Sequence, residues 1–233
     1  MNAYCLYCQA LILDEMTWTK LFFPREQSPL CSSCFGKLKR LKEPCCKKCS
    51  RSLNESAYMK EAHCIDCVRW EQQSQWKGIL KRNTSLYEYN DFMKEMIARY
   101  KFRGDYALAK AFFMEIRMTV QKLEYDFLIP IPLSEERLKE RGFNQATALV
   151  HEAGFPTVDI LRRHDSEKQS KKTRRSRIEQ ARIFSIVENA DIANKNVLLI
   201  DDIYTTGATI YHAAKTLKEV GAASIQSFTL VRS

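Results

Sequence analysis

Apolar residues run unbroken through Val197-Leu198-Leu199-Ile200, the pattern of a short strand buried on both faces. Asp201 and Asp202 stand where that strand is expected to end, and Ile203-Tyr204-Thr205-Thr206-Gly207-Ala208-Thr209 follows. Behind this loop Ala213, Ala214, Leu217 and Val220 recur at helical spacing, and Ser224 to Arg232 reads as a closing strand. Strand, loop, helix and strand in that order predict an α/β unit with a mainly parallel sheet.

Upstream, a strand is expected around Ser85–Tyr89. Asp91 can cap a helix in which Phe92, Met93, Met96, Ile97 and Tyr100 form one apolar stripe. Lys101-Phe102-Arg103-Gly104-Asp105 breaks that pattern, and a second helix is expected from Tyr106 to Leu123. Asp126 to Leu133 reads as a buried strand closed by Pro130 and Pro132, since proline is tolerated where no ladder donor is needed. Ser134 can cap the next helix, with Arg137 on it, and the polar cluster Arg141-Gly142-Phe143-Asn144-Gln145 follows. Residues 162 to 196 carry no core pattern at first. Arg162, Arg163, Lys168, Lys171, Lys172, Arg174, Arg175 and Arg177 suggest a charged lid, with a merely solvated run as the alternative.

The first 75 residues have a different chemistry. Eight of the nine cysteines form Cys-x-x-Cys pairs, Cys5/Cys8, Cys31/Cys34, Cys46/Cys49 and Cys64/Cys67. Such a turn puts two sulfurs on one tetrahedral metal, and two turns close a structural Zn²⁺ site. Consecutive pairing gives two zinc ribbons and is preferred, while spacing leaves an interleaved pairing open. Cys45 is left over as a small packed residue or a rival to Cys46, and His63 is a further possible ligand. The segment is polar enough that metal binding is expected to supply its folding energy. A division into 1–75 (double zinc ribbon) and 76–233 (α/β domain) follows, with 76–82 as linker.

Composition adds three points. No run of eighteen apolar residues predicts a membrane span. The start lacks the basic and apolar regions of a secretory signal, and paired thiols fit a reducing compartment, so a cytoplasmic location is expected. The formal charge of +9 falls to about +5 if eight thiolates hold two Zn²⁺. Nine of the cations lie in residues 162–182 against three acids. Lys37, Lys39, Arg40, Lys42, Lys47, Lys48 and Arg51 crowd the middle of the cysteine-rich head. They serve either to balance anionic metal clusters or to meet nucleic acid, with Phe35, Tyr58, Trp70 and Trp76 as candidate stacking residues.

A loop rich in hydroxyls, entering a helix N-terminus at the carboxyl end of a strand, offers amides and side chains to a phosphate. Two acids beside it suit vicinal hydroxyls, which together is the layout of a ribose 5-phosphate. The plainer alternative is a buried strand and a turn with Thr205 or Thr206 capping the helix.

The thirteen residues Val197 to Thr209 resemble the phosphoribosyl-pyrophosphate (PRPP) loop of type I phosphoribosyltransferases. The resemblance implies that Asp201 and Asp202 hold the ribose hydroxyls, and that Thr205, Thr206, Gly207, Ala208 and Thr209 wrap the 5′-phosphate. It also implies that Arg141, Lys101 and the lid cations face the pyrophosphate, with Mg²⁺ accompanying PRPP; Asp201, Asp202 and Arg141 are the expected catalytic residues.

Over nearly the whole chain, the order of Cys-x-x-Cys ribbons, Lys101-Phe102-Arg103-Gly104-Asp105, Pro130-Ile131-Pro132-Leu133, Arg141 to Gln145, Gln169-Ser170-Lys171-Lys172-Thr173-Arg174 and the PRPP loop is similar to that of the ComF/ComFC family. That resemblance implies a late-competence factor of natural transformation, acting in uptake of single-stranded DNA into the cytosol. It implies a ComFA-like translocase as partner and recruitment to the inner face of the membrane at the uptake machinery. The acceptor of any phosphoribosyl transfer stays open, as does the choice between an enzyme and a nucleic-acid-binding adaptor. The alternative function is a nucleobase or other small-molecule phosphoribosyltransferase of salvage metabolism.

Overall fold

The computed structural model describes residues 3–12, 28–53, 59–60, 62–164, 183–187 and 191–233. Its centre is a four-stranded, all-parallel sheet in the order β5 (Asn83–Glu88), β10 (Ser224–Arg232), β9 (Asn196–Tyr204), β6 (Phe127–Pro130). Phe228 pairs with Ile200, and Ile129 with Leu199, across the two central ladders. Val197 and Leu199 of β9 enter one apolar cluster, and Leu198 and Ile200 the other. That alternation explains the unbroken apolar run: a central parallel strand has no wet face.

Short elements frame the cysteines: β1 (Ala3–Tyr4) with β2 (Leu11–Ile12), α1 (Ser32–Gly36), β3 (Met59–Lys60) with β4 (His63–Cys64), and α2 (Ile65–Gln72). One face of the central sheet is covered by α3 (Asp91–Phe102), a 3₁₀ helix (Tyr106–Phe112), α4 (Phe113–Val120) and α6 (Gln145–Glu152), with Cys5, Leu30 and Cys34 joining the same cluster. The other face meets α7 (Ala208–Glu219) and the second cysteine group. Along α7, Ile210, Tyr211, Ala213, Ala214 and Leu217 are buried, an i, i+1, i+3, i+4, i+7 stripe.

Several elements differ from the sequence expectation. β5 starts at Asn83, because its ladder with β10 begins there with Ser227 opposite. Asn90, and not Asp91, caps α3, accepting from the Met93 N–H at 2.8 Å. The helix expected over Tyr106–Leu123 splits into the 3₁₀ segment and α4. Its buried residues fall in pairs three apart, Leu108 with Ala111 and Ala109 with Phe112, which suits three residues per turn. β6 is shorter than Asp126–Leu133, and Pro130 is accommodated because β6 lies at the sheet edge.

Residues 76–82 are not a bare linker. Trp76 and Leu80 are buried, and the Lys81 N–H bonds the Ile225 carbonyl at 2.8 Å. Arg162 and Arg163 belong to β7 (Leu161–Arg163), paired antiparallel with β8 (Phe184–Ile186) and pinned by buried Leu161 and Phe184. The rest of the expected lid, from residue 165 to 182, lies outside the described residues, as does Tyr58.

Candidate donor pocket and cysteine clusters

β9 continues through both aspartates to Tyr204, and α7 opens at Ala208 behind Gly207. Gly207 has φ 88°, and a Cβ there would lie 2.2 Å from the Tyr204 Oη, so glycine alone fits above that buried ring. The Thr206 Oγ1 accepts from the Ala208 N–H at 3.4 Å. On the far side, Ser134 caps α5 (Glu135–Arg141), which stops at Gly142 with φ 77°. Asn144 then caps α6, accepting from the Ala146 N–H at 2.9 Å, while its own amide donates to the Ile131 carbonyl at 3.0 Å. That side chain ties the start of α6 to the loop leaving β6.

Between these elements lies a cavity of about 220 Å³. Asp201 and Asp202 line it together with Thr205 and Thr209, and four cations, Lys101, Arg137, Arg141 and Arg163, face the same space. The Lys101 Nζ meets the Asp202 Oδ2 at 2.6 Å, and the Arg141 Nη1 donates to the Gln145 Oε1 at 2.9 Å. Burial, then the neighbouring Asp202 carboxylate, pushes the Asp201 carboxyl up to about 7. The Asp202 N–H, Lys101 and Arg163 pull against that rise.

Of the expected site residues, Asp201, Asp202, Thr205, Thr209, Lys101 and Arg141 share this cavity. Thr206 turns its carbonyl away, toward the Trp70 Nε1 at 2.8 Å. From sequence alone, Arg137 has only a place on the helix after Ser134, and Arg163 a place in a charged lid. Nothing in the spacing of Leu161-Arg162-Arg163 marked it as a strand; pairing with Phe184 places Arg163 at the cavity.

The eight paired cysteines gather as Cys5, Cys8, Cys31, Cys34 and as Cys46, Cys49, Cys64, Cys67, each set with its sulfurs within 4.8 Å of one another. Consecutive pairing is therefore the arrangement observed. Four sulfurs about 2.3 Å from a tetrahedral ion stand about 3.8 Å apart. Cys8 to Cys31 is 3.7 Å and Cys49 to Cys64 is 3.5 Å, so both sets fit a metal ion. All nine thiols are free of disulfides. Cys45 stays out of either set, its Sγ donating to the Lys42 carbonyl at 3.1 Å, and neither set includes His63.

Two of the candidate stacking residues are used internally. Trp70 lies flat on Tyr211 with centroids 4.2 Å apart, and Trp76 is buried edge-on to both rings. Arg40, Lys48 and Arg51 pair with Glu115, Glu71 and Asp66. Phe35, Lys37, Lys39, Lys42 and Lys47 remain exposed.

A family model described as a phosphoribosyl transferase domain matches residues 138–233. The chain is 41% identical over 233 residues to Competence protein ComFC of Bacillus subtilis, covering 98% of this chain and 95% of that protein. To Competence protein ComFC of Streptococcus pneumoniae it is 36% identical over 230 residues, covering 98% and 99%. Competence protein F of Haemophilus influenzae is 28% identical over 220 residues, with 88% and 90% covered. Among the described residues no helix is long and apolar enough to cross a membrane. A phosphoribosyltransferase-like parallel sheet, a head with two four-cysteine groups, and identity along nearly the full length lead to one assignment: the chain belongs to the ComFC family of competence proteins.

Proposed function

We propose that the cavity at the end of β9 binds PRPP with Mg²⁺ and that the chain acts on this donor during natural transformation, in uptake of single-stranded DNA. The observation that carries the reading is the polarity of one cavity, two carboxylates and two threonines on one wall with four cations around them. Asp201 and Asp202 accept from the ribose hydroxyls. Thr205 and Thr209, with the amides of the loop from Thr205 to Thr209, take the 5′-phosphate. Lys101, Arg137, Arg141 and Arg163 face the pyrophosphate and stabilise charge gathering on it as it leaves, a role of positioning and electrostatics without a covalent nucleophile. Mg²⁺, when bound, neutralises part of the pyrophosphate charge.

Calorimetry of the metal-loaded chain with PRPP and Mg²⁺ tests the donor site, and absence of heat at millimolar ligand refutes it. Release of pyrophosphate only when a nucleobase is added would instead make this a salvage enzyme. The two cysteine clusters hold Zn²⁺ in this reading, since four thiolates at tetrahedral spacing are its preferred structural set. Exposed Lys37, Lys39, Lys42 and Lys47 with Phe35 support contact of the head with single-stranded DNA or with a ComFA-like translocase. Binding of a labelled oligonucleotide that weakens steeply with salt supports DNA as the partner, and no affinity at low salt excludes it.

A further inference from the structure

Arg232, near the end of β10, is 3% exposed. Its Nε and Nη2 both reach the Cys49 Sγ at 3.4 Å. From the other edge of the same plane, Nη1 donates to the Tyr204 carbonyl at 3.0 Å and the Thr205 carbonyl at 2.7 Å, with the Ser233 carbonyl also beside it. The next carbonyl, of Thr206, accepts from the Trp70 Nε1 at 2.8 Å, and Trp70 lies on the α2 helix that also carries Cys67. Three successive carbonyls of the loop are therefore held from behind, two by Arg232, which forks onto Cys49 of the second cysteine group, and one by Trp70 of the helix that carries Cys67.

The geometry has a consequence for the loop's other face. In a planar trans peptide the carbonyl and the next residue's N–H point in opposite directions. Drawing the carbonyls of Tyr204, Thr205 and Thr206 toward Arg232 and Trp70 turns the amides of Thr205, Thr206 and Gly207 the other way, which is how a concave anion-binding turn is built.

Charge completes the argument. A buried guanidinium needs an anion to offset its lost hydration. Four thiolates on a divalent ion carry two negative charges, and Cys49 is the sulfur that Arg232 forks onto.

We propose that Arg232 is a positioning residue that couples metal occupancy of the Cys46/Cys49/Cys64/Cys67 cluster to the shape of the phosphate loop, so that the metal site acts as the loop's anchor. The use of PRPP as a reporter rests on the donor-site reading above; the coupling itself does not.

Hydrogen–deuterium exchange on the full, metal-loaded chain tests it. Arg232→Gln is expected to raise exchange of the Thr205, Thr206 and Gly207 amides about tenfold or more, as one charge-assisted fork is lost. It should also speed loss of one of the two metal ions to a competing chelator. Chelation of the wild-type chain should produce the same change at the loop. Arg232→Lys, which keeps charge but not the fork, should fall between the two. Trp70→Phe, which keeps the stack on Tyr211 but loses the bond to Thr206, should loosen the loop and leave metal retention unchanged. PRPP with Mg²⁺ should tighten equilibrium metal binding by the same factor by which the metal tightens PRPP, and so slow metal release, because such coupling is reciprocal in affinity.

Loop exchange that stays at the wild-type level in Arg232→Gln, Arg232→Lys and the chelated chain overturns the proposal. If these variants loosen the loop while wild type ignores PRPP in calorimetry and in metal release, the anchor stands and the donor-site reading falls.

Discussion

Replacing Asp201 by Asn should stabilise the protein and, on the proposed donor site, abolish binding of the ribose of PRPP. The folded chain binds this proton at about 7, against 3.8 in the unfolded chain. Over that interval the folded state carries the extra proton, so stability falls as pH rises from about 4 to about 7, and the penalty is complete above 7. At full strength such a difference corresponds to about 4 kcal/mol against the ionised folded form. Asp201 keeps some contact with water, and screening reduces the expected effect to about 1–2 kcal/mol. Asn retains the Oδ1 that accepts from the Asp202 N–H at 2.9 Å, so the local turn survives. At pH 8 the variant should therefore melt about 2–8 °C above wild type, as expected for a chain of this size. The gain should shrink below pH 7 and vanish near pH 4. Scanning calorimetry at pH 8, 6 and 4.5, with metal held constant, measures it. PRPP with Mg²⁺ should raise the melting temperature of wild type and leave the variant where it was. A variant no more stable than wild type at pH 8, or one whose gain does not change with pH, refutes the reasoning.

Lys101→Met strands the Asp202 carboxylate, which is 6% exposed, and should cost about 2–3 kcal/mol in urea unfolding, with Asp202→Asn in the same background restoring much of it. Equal stability of Lys101→Met and wild type would show that the pair is not a working one. Gly207→Ala puts a methyl 2.2 Å from the Tyr204 hydroxyl at φ 88°, and should cost at least about 2 kcal/mol and abolish PRPP binding by calorimetry. Tyr204→Phe should raise stability by about 1 kcal/mol, since the buried hydroxyl has no hydrogen-bond partner among the described residues; a fall in Tm would mean that it has one. Cys46→Ser should lower the metal content measured by plasma mass spectrometry from two ions per chain to one, while Cys45→Ser keeps both; two ions in the first variant would contradict the cluster assignment.

Local order alone placed much of this molecule. The apolar run Val197–Ile200 reads as a strand buried on both faces and lies in β9, the closing strand Ser224–Arg232 is found as read, and Cys-x-x-Cys spacing marked the two four-cysteine groups. These features depend on neighbours within a few residues, where backbone periodicity and turn geometry act. Even so, the Tyr106–Phe112 segment escaped, because a run of buried alanines and large residues fits either helical repeat until packing selects the tighter one. What the tertiary structure decided is which distant side chains share a space. Lys101 meets Asp202, Trp70 meets Thr206 across 136 positions, and Arg232 meets Cys49 across 183. None of these pairings leaves a trace in spacing or periodicity. They arise only when strand order β5-β10-β9-β6 lays the cysteine-rich head behind the Thr205–Thr209 loop, and a buried charge then requires whatever counterion that juxtaposition supplies.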